Sequence, residues 1–489
     1  PIASLALDRR ALLKGAGALV VTVAAPAAAL AAAMPGAGTG TTQHPPFTPE
    51  QLDSWIAVRQ DGGVTAFFGK TDSNQGVYVG IGQIVADELD LPFDRVSVIM
   101  GDTGRTINQG GASGSTGVQR GGIALRNAAA EARRLLLAMA AEKWNVPAER
   151  LTVEDGVIIA PGDPKKRISY GALIGGRYFD ATLHWNGKLG NPLVVEGAAK
   201  PKPPAAYRVV GKPFPRIDIR HKVFARFPFA TDVRVPGMLH GRMIRPPVAG
   251  AVPVTINEAS LGGIPDVRVV HKDGFLGVVA EKEWNAIRAS QRLEVTWSKV
   301  AAPFPPSEAL YDHVRKAPVR KRAVELEHGA VDPAFAGAAR VVSAEYEWPF
   351  QSHSSIGPAC AICAVGDGSA ILWSGTAKPH YAREGVAKLL NLPLERVETV
   401  WVQGPGAYGR NDAGDAAIDA AVLAQAVGRP VRVQGMRYEG HGWDPKGPAS
   451  IHRARAALDK DSKIVAYQFE SQGFSRVEIA TNASDPRTS

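Results

Sequence analysis

The sequence predicts an α/β fold in which two strand–glycine-rich loop–helix units flank an inserted β-rich segment. Residues 51–200 and 335–489 alternate strand-like apolar runs with helix-forming runs. Residues 207–300 carry short runs of alternating or β-branched residues, which are typical of strands. The two flanking segments also share a motif, which indicates that they share a local structure.

That motif is a proline-centred turn between a helix and a strand. Leu89-Asp-Leu-Pro-Phe-Asp-Arg-Val96 and Leu390-Asn-Leu-Pro-Leu-Glu-Arg-Val397 each precede a β-like run, and a third copy spans residues 144–151. We expect a helix to end before each proline, because proline disfavours helical geometry in the residue ahead of it. In the first two copies the strand leads into a glycine-rich loop and then into a helix.

Length and composition are those of a globular protein with several packed units. A chain of 489 residues is too long for one ordinary core, so we expect two to four units. The hydrophobic fraction of 45% and the charged fraction of 21% argue against disorder. The net charge of +9 is spread along the chain, whereas a nucleic-acid-binding surface would cluster it. This charge is compatible with binding of a phosphate-bearing cofactor.

The first 34 residues have the pattern of an export signal. Arg9-Arg10 precedes an apolar stretch from Gly15 to about Leu30, and small residues follow. The paired arginines resemble the twin-arginine signal, which exports folded proteins and fits a cofactor inserted before export. An amphipathic helix is the alternative, but the stretch has no polar face. We therefore expect a signal peptide over residues 1–34, a linker over residues 35–50 and a periplasmic location.

The two cysteines are predicted to be packing residues. Cys360 and Cys363 lie in an apolar run of β-like length, where odd spacing places them on opposite faces of a strand. A second pair that could complete a tetrahedral metal site does not occur in the sequence. Packing is favoured over redox or metal chemistry.

Two glycine-rich loops are the candidate ligand-binding elements. The first spans residues 108–122 and the second spans residues 403–412, and each precedes a helix-forming run. Glycine allows tight turns and a close approach to a ligand, and a helix start offers free N–H groups to an anion. Neither loop has the Gly-Lys-Ser/Thr of a Walker loop or a Gly-x-Gly-x-x-Gly that opens the helix. From composition alone, two long surface turns are the alternative.

Motifs along most of residues 55–450 resemble the molybdopterin-binding subunits of the xanthine dehydrogenase and aldehyde oxidase family. Within it they are similar to the subunits of isoquinoline oxidoreductase and nicotinate dehydrogenase type. Residues 229–247 resemble that family's β-rich hammerhead domain, so that the inserted domain is expected over residues 207–300 between binding segments 51–200 and 335–489. The other matching motifs are Ser73–Leu89, Gly101–Thr103, the loop through Gly122, His353–Ala361, Trp373–Thr376, Gly406–Asn411 and Asp415–Val431.

The resemblance implies a molybdenum held by the dithiolene of a pterin, in the cytosine dinucleotide form. Such subunits insert water-derived oxygen at an aldehyde or N-heterocycle C–H and pass electrons to a small iron–sulfur subunit, with a cytochrome c as a possible final acceptor. The resemblance places the pterin at Gln75 and Gly76. It also implies that the cofactor or substrate pocket is lined by Ala112, Ser113, Gly114 and Ser115, and that the other half approaches the metal through Gly406, Ala407, Tyr408 and Gly409.

Three departures from the family pattern stand out. Ala377 occupies a position where the family often has a glutamine that hydrogen-bonds a metal oxygen, and Asn74 replaces the usual glycine before Gln75-Gly76. The family's glutamate base, in a Gly-x-Gly-Glu-like motif, has no counterpart before Ser489. We therefore expect a C-terminally truncated or split subunit whose catalytic residue lies beyond Ser489 and which has no hydroxylase activity alone.

Other polar residues are expected to be structural. His353 could serve catalysis or bind a metal, but a lone histidine beside serine and glycine is more typical of a structural residue. His441 lacks the histidine partner four residues away that a helical zinc site would show. Asp415 and Asp419 share a helix face but lack histidine partners, and they complement the helix dipole instead. The Gly101–Thr103 sequence is typical of a turn in which Asp102 binds nearby backbone, rather than of a general base.

The sequence leaves two further classes of function open. The departure at Ala377 and the missing glutamate favour a non-catalytic relative that binds a cofactor or a partner. An exported carbohydrate- or peptide-binding scaffold is the third alternative, although the sequence shows no aromatic platform for it.

Overall fold

The structure is a computed structural model that describes residues 47–163, 165–302, 304–352, 354–406, 408, 415–439 and 446–474. The predicted signal peptide and nearly all of the predicted linker lie outside these ranges. So do six further residues named above, namely His353, Ala407, Gly409, Asn411, His441 and Ser489.

The first segment alternates strands and helices as predicted. Its helices are α1 (Val77–Glu88), α2 (Gly122–Trp144) and α3 (Tyr170–Ile174). Its strands are β1 (Ile56–Val58), β2 (Val64–Phe68), β3 (Val96–Met100), β4 (Thr152–Glu154), β5 (Val157–Ile159), β6 (Arg167–Ser169), β7 (His184–Trp185) and β8 (Val195–Glu196).

The inserted segment is rich in short strands. Helix α4 (Ile219–Val223) precedes β9 (Leu239–Met243), and helix α5 (Glu283–Arg292) lies between the last two of four further strands. Those strands are β10 (Pro253–Asn257), β11 (Arg268–Lys272), β12 (Phe275–Ala280) and β13 (Glu294–Trp297).

The last segment returns to mixed strands and helices. Its helices are α6 (Leu310–Lys316), α7 (Val331–Ala336), α8 (Pro379–Leu390) and α9 (Asp415–Val427). Its strands are β14 (Arg340–Trp348), β15 (Cys360–Gly366), β16 (Ser369–Ser374), β17 (Val397–Trp401), β18 (Val431–Gln434), β19 (Ser450–Leu458) and β20 (Ile464–Gly473).

The first core forms around a small sheet and two long helices. Strand β2 pairs antiparallel with β1 and parallel with β3, and all five residues of β2 are buried. Helix α2 contributes a stripe of alanines and leucines to this core, including Leu125 and Leu136, which are fully buried. Small alanines let α2 approach α1 and the sheet closely, so both helix starts lie at the same side of the core.

A second core is shared by the inserted segment and the last segment. One seven-stranded sheet has the order β11-β12-β9-β18-β15-β16-β17. Strands β9 and β18 pair parallel, with Leu239 opposite Val431, and this pair joins the two segments. Helix α9 covers the sheet with residues that are nearly all apolar and buried. The inserted segment also has a small core of its own around Leu276 and Val278.

Two buried arginines reinforce the junction between these segments. Arg242 on β9 and Arg432 on β18 donate to the same oxygen, Glu283 Oε1, at 2.8 and 2.9 Å. Burial opposes ionisation of Glu283, but the hydrogen bond from Arg242 and the charge of Arg432 hold its pKa down to about 2. Helix α5 is thereby fixed to both strands by charge-assisted hydrogen bonds.

A third sheet of β14, β19 and β20 is antiparallel and largely exposed. Helices α6 and α7 lie on its polar face, where Arg315 donates to Glu345 at 2.9 Å. The opposite face carries exposed apolar side chains, including Tyr346, Trp348 and Phe469. The helices of the described residues are too short or too polar to cross a membrane.

The predicted α/β fold class with strand–loop–helix units is confirmed. The structure shows in addition that the inserted segment shares a sheet with residues 360–434 while keeping a small core of its own. The exact domain boundaries stay a prediction. Cys360 and Cys363 are both buried on β15, and burial raises the pKa of Cys363 to about 12, which fits packing residues.

The packing around two helical glycines yields a stability prediction. A Cβ on Gly171 would lie 2.4 Å from Gln60 O and 2.7 Å from Arg59 O, which are backbone atoms that cannot move aside locally. Gly171→Ala should therefore lower the free energy of unfolding by about 1–3 kcal/mol. Urea denaturation measures this difference.

The matched control is Gly80→Ala in α1, where the added Cβ meets only Val118 Cγ2 at 3.5 Å. Alanine is the better helix former, so this variant should be neutral or more stable by up to about 1 kcal/mol. Equal effects of the two substitutions would contradict the packing described for α3.

Candidate functional site

The two glycine-rich loops begin at neighbouring strand ends. Strand β3 leads into residues 101–121, and strand β17 leads into residues 402–406. Thr103 N donates to Thr399 O at 2.9 Å, and Thr399 N donates to Thr103 Oγ1 at 2.8 Å. This reciprocal pair joins positions almost three hundred residues apart, so the start of the first loop lies directly against β17.

The first loop begins with the turn that the sequence predicted at Asp102. Its carboxylate accepts from Gly104 N at 2.9 Å and from Arg105 Nε at 2.7 Å. Glu398 on β17 lies beside this turn, because a Cβ on Gly104 would be 2.9 Å from Glu398 Oε1. Burial, followed by the negative charge of Asp102, raises the pKa of Glu398 to about 7. The protonated form of Glu398 is therefore favoured at the contact between the two halves.

The base of the first loop is held by two buried polar side chains, one that follows β2 and one within the loop. Gln109, within the loop, accepts from Gly69 N at 2.8 Å and donates to Gly121 O at 3.0 Å, so it joins the C-terminal end of the loop to the residue after β2. Lys70 is completely buried, and its Nζ donates to Gly111 O at 2.8 Å and to Asn191 Oδ1 at 2.5 Å. Burial lowers the pKa of Lys70 to about 8.

The last segment contacts the first loop a second time through residues 377–378. Ala112 N donates to Ala377 O at 2.9 Å, and a Cβ on Gly111 would lie 2.8 Å from Lys378 Cγ. A side chain at position 111 would require the Lys378 side chain to shift. Ala377, which replaces the expected glutamine, thus contributes its backbone carbonyl to the loop.

The tip of the first loop is exposed to solvent. Ser113, Gly114 and Ser115 are all exposed, and Gly114 and Ser115 adopt left-handed φ angles of 65° and 58°. Below the tip, Thr116 Oγ1 donates to Ser113 O at 2.8 Å. A rigid base with an exposed tip of hydroxyl and backbone groups suits a ligand that accepts and donates hydrogen bonds.

Gln75 and Gly76 lie at the start of α1, next to the end of the first loop. Asp72 caps this helix by accepting from Gly76 N at 3.1 Å and from Tyr78 N at 3.3 Å. Gly76 has a φ of 86°, and Gln75 is exposed. A Cβ on Gly117 would lie 3.6 Å from Val77 Cγ1, so the helical turns that begin at residues 77 and 117 start side by side.

The second loop contacts the segment that precedes α1. Gln403 Nε2, which is buried, donates to Asp72 O at 3.1 Å. Gly406 has a φ of 53°, and Tyr408 is exposed with a φ of 47°. Gly357 lets residues 354–357 support this loop, because a Cβ there would lie 2.2 Å from Pro405 O.

The structure therefore gathers three elements that the sequence singled out separately, namely residues 72–77, 101–117 and 402–406. Of the ten predicted cofactor contacts, Ala407 and Gly409 lie outside the described residues. The other eight belong to these three elements or directly follow them. Their roles as cofactor contacts stay a prediction.

Sequence reasoning missed the residues that fix the loops. Lys70, Gln109, Asn191 and Glu398 carry no motif of their own, and their partners are 12 to 300 positions away. The one available signal was Lys70, a lysine directly after an apolar strand and two residues before the capping Asp72.

Two other polar residues are structural, and the described residues show no metal-binding cluster. Burial lowers the pKa of His380 to about 3, and its Nε2 lies 3.5 Å from Thr106 Oγ1. Asp419 is buried and pairs with Arg245. Groups of three or more His, Cys, Asp or Glu side chains that could hold a metal ion do not occur within the described ranges.

Comparison with known families returns two matches that cover both segments. A molybdopterin cofactor-binding domain model matches residues 24–229, and a second molybdopterin cofactor-binding domain model matches residues 314–473.

Two curated relatives are similar over most of this chain. A nicotinate dehydrogenase subunit of Pseudomonas putida is 38% identical over 436 residues, which are 87% of this chain and 36% of the relative. The isoquinoline 1-oxidoreductase beta subunit of Brevundimonas diminuta is 28% identical over 94% of this chain and 63% of the relative. The chain thus spans between about a third and two thirds of the length of these relatives.

Solved structures align with part of the chain. Quinoline 2-oxidoreductase from Pseudomonas putida 86 aligns with a TM-score of 0.42 and 21% identity, over 52% of this chain and 38% of that chain.

The raised pKa of Glu398 yields a pH prediction. Because the folded protein holds the proton of Glu398 up to a pH of about 7, whereas the ordinary value is 4.5, folding binds a proton in this window. Stability from this group is complete below about pH 4.5 and is lost as the pH rises to about 7, by about 1–3 kcal/mol. Urea denaturation from pH 4 to pH 8 measures the slope.

Glu398→Gln should flatten this slope relative to the natural chain. Glu395→Gln, an exposed change on the preceding turn, is the matched control and should leave the slope unchanged. An unchanged slope in Glu398→Gln would contradict the assigned proton.

The anchoring of the first loop yields a second prediction. Lys70→Met leaves Gly111 O and Asn191 Oδ1 with only the long hydrogen bonds from Thr116 Oγ1, at 3.4 and 3.3 Å, so the free energy of unfolding should fall by about 1–3 kcal/mol. Hydrogen exchange should also accelerate at residues 111–116. Lys188→Met, an exposed lysine change, serves as the control. Unaltered exchange at residues 111–116 would show that Lys70 does not fix the loop.

Proposed function

We propose the function of this protein from one premise, which is that the chain belongs to the molybdopterin-binding subunits of the xanthine dehydrogenase family. The whole protein is an oxidoreductase that hydroxylates or oxidises an aldehyde or an N-heteroaromatic C–H with oxygen from water. The names of the two relatives, which are subunits of a nicotinate dehydrogenase and of an isoquinoline oxidoreductase, support the N-heteroaromatic class in particular.

The observation that carries the proposal is the convergence of both glycine-rich loops on the start of α1. Gln403 Nε2 in the second loop donates a hydrogen bond to Asp72 O, while Ala112 N in the first loop donates a hydrogen bond to Ala377 O in the last segment. Two halves that each match a molybdopterin-binding domain therefore meet at one place. A single cofactor can contact both.

The described residues fit an anionic pterin cofactor on their own chemistry. The helical turns starting at residues 77 and 117 lie side by side. Because the Asp72 carboxylate already caps the turn at residue 77, the N–H groups and positive dipole end at residue 117 are the ones that favour further negative charge nearby. The partners of Lys70 Nζ within the described ranges are neutral oxygens, so its ionised form adds positive charge at the base of the first loop. Ser113 and Ser115 supply exposed hydroxyl groups for a pyrophosphate or a pterin ring.

Each element has a distinct part in holding the cofactor. Gln75 offers an amide to the pterin, the backbone at Ser113–Ser115 binds phosphate oxygens, and the second loop closes the site from the other half. When bound, the molybdenum cofactor supplies the two-electron redox chemistry, and the protein supplies its orientation and electrostatic environment. The cytosine dinucleotide form is part of this proposal.

The proposal extends to partners and location. Electrons leave through a small iron–sulfur subunit, and a cytochrome c is the candidate for the final acceptor. The paired arginines near the start of the sequence support export through the twin-arginine route to the periplasm.

A non-catalytic, cofactor-binding relative is the second candidate, and Ala377 favours it. Alanine cannot supply the side-chain hydrogen bond that a glutamine would give to a metal oxygen. In this structure Ala377 contributes only its carbonyl, to Ala112 N.

Metal analysis tests the proposal. The full-length protein, produced together with its iron–sulfur partner, should contain about one molybdenum per chain. Absence of molybdenum from protein that is folded by circular dichroism would contradict the cofactor assignment. Molybdenum without turnover of aldehydes or N-heterocycles would instead favour the non-catalytic candidate.

A further inference from the structure

We propose that Asn74 and Gln403 form a cross-loop latch that sets the distance between the two halves of the cofactor site. The latch consists of two hydrogen bonds in opposite directions. Asn74 Nδ2 donates from the first segment to Gly404 O at 2.9 Å, and Gln403 Nε2 donates from the last segment to Asp72 O at 3.1 Å. The inference rests on the proposed function, because it assigns the latch a role in holding the cofactor.

The orientation of the Asn74 amide is fixed by the chemistry of its partners. Lys222 Nζ, which can only donate, lies 2.9 Å from Asn74 Oδ1, and Gly404 O, which can only accept, lies against Nδ2. The Asn74 carbonyl also accepts from Arg216 Nη1 at 2.7 Å. Residue 74 therefore joins three separate parts of the chain.

The backbone at Asn74 explains why this residue type is tolerated there. Its φ of 76° lies in the left-handed region, which asparagine adopts more readily than most other residues with a side chain. Glycine would adopt the same φ without strain, but it would lack both side-chain hydrogen bonds. Asparagine at this position therefore combines a tolerated left-handed φ with two side-chain hydrogen bonds that glycine could not make.

The other half of the latch is tied into the same network. Gln403 is buried, and its carbonyl accepts from Ala230 N at 2.9 Å. Its amide holds Asp72, whose carboxylate caps α1 at Gly76 and Tyr78. A displacement of the second loop therefore acts directly on the helix start that carries Gln75.

This arrangement makes Asn74 a positioning residue for the cofactor. Gln75 follows it directly, and Gly406 follows its acceptor Gly404 by two positions, so one hydrogen bond couples the predicted contacts of both halves. Loss of the latch should loosen the second loop relative to α1 and weaken retention of the cofactor, with little effect on the rest of the fold.

Asn74→Gly tests the latch, because it keeps the backbone angle and removes both side-chain bonds. In molybdenum-free full-length protein, hydrogen exchange at Ala230 and Gly76 should become about five- to tenfold faster, which corresponds to the loss of about one net hydrogen bond. In protein produced with cofactor, molybdenum retained after gel filtration should fall to less than about half of the natural level, at a nearly unchanged melting temperature. Asn74→Asp keeps an acceptor for Lys222 but places a second acceptor against Gly404 O, so it should reproduce the loss of molybdenum.

The matched control is Asn145→Gly, since Asn145 has a φ of 50° and caps the exposed end of α2 away from both loops. It should change neither exchange nor molybdenum content. Unchanged exchange in Asn74→Gly would overturn the latch, and faster exchange with full molybdenum retention would overturn its positioning role. If the natural protein carries no molybdenum, the proposed function fails, while the exchange measurement still decides whether the latch exists.

Discussion

The structure depends on one constraint, which is that two loops about three hundred residues apart in the sequence must keep a fixed position relative to each other. Hydrogen bonds between the two halves of the chain hold that position. Thr103 and Thr399 exchange two of them, Ala112 binds Ala377 O, and Asn74 and Gln403 add a pair in opposite directions. Each hydrogen bond contributes only about 1 kcal/mol to stability, so the relative position of the loops is fixed by the number of these bonds and by the rigid supports of the two loops. The supports are the packed cores on either side, each of which includes the strand that leads into its loop.

Much of the fold was predictable because it depends on local chemistry. The proline motif predicted that helices end before Pro92 and Pro393, and α1 and α8 end at Glu88 and Leu390 before the strands resume at Val96 and Val397. The turn at Asp102 was also predictable, because an aspartate carboxylate binds the backbone two residues on. Short-range rules suffice where both partners lie within a few residues of each other.

The sequence could not predict the residues that assemble the candidate site, because their partners are set by tertiary packing. Lys70 is an ordinary lysine until burial places it against Gly111 and Asn191. The pKa of Glu398 is likewise raised by its burial in the folded chain and then by Asp102 from the other half. Asn74 and Ala377 stood out only as departures from a family pattern. The structure shows that both contribute hydrogen bonds between the halves, through a side chain in one case and a carbonyl in the other.

The central claim is that both glycine-rich loops contact one cofactor, and hydrogen exchange of the full-length protein with and without molybdenum cofactor tests it most directly. Simultaneous protection of residues 75–77, 112–116 and 402–406 on cofactor loading is the predicted result. Protection confined to one half, or to neither, would contradict a site shared between the two halves.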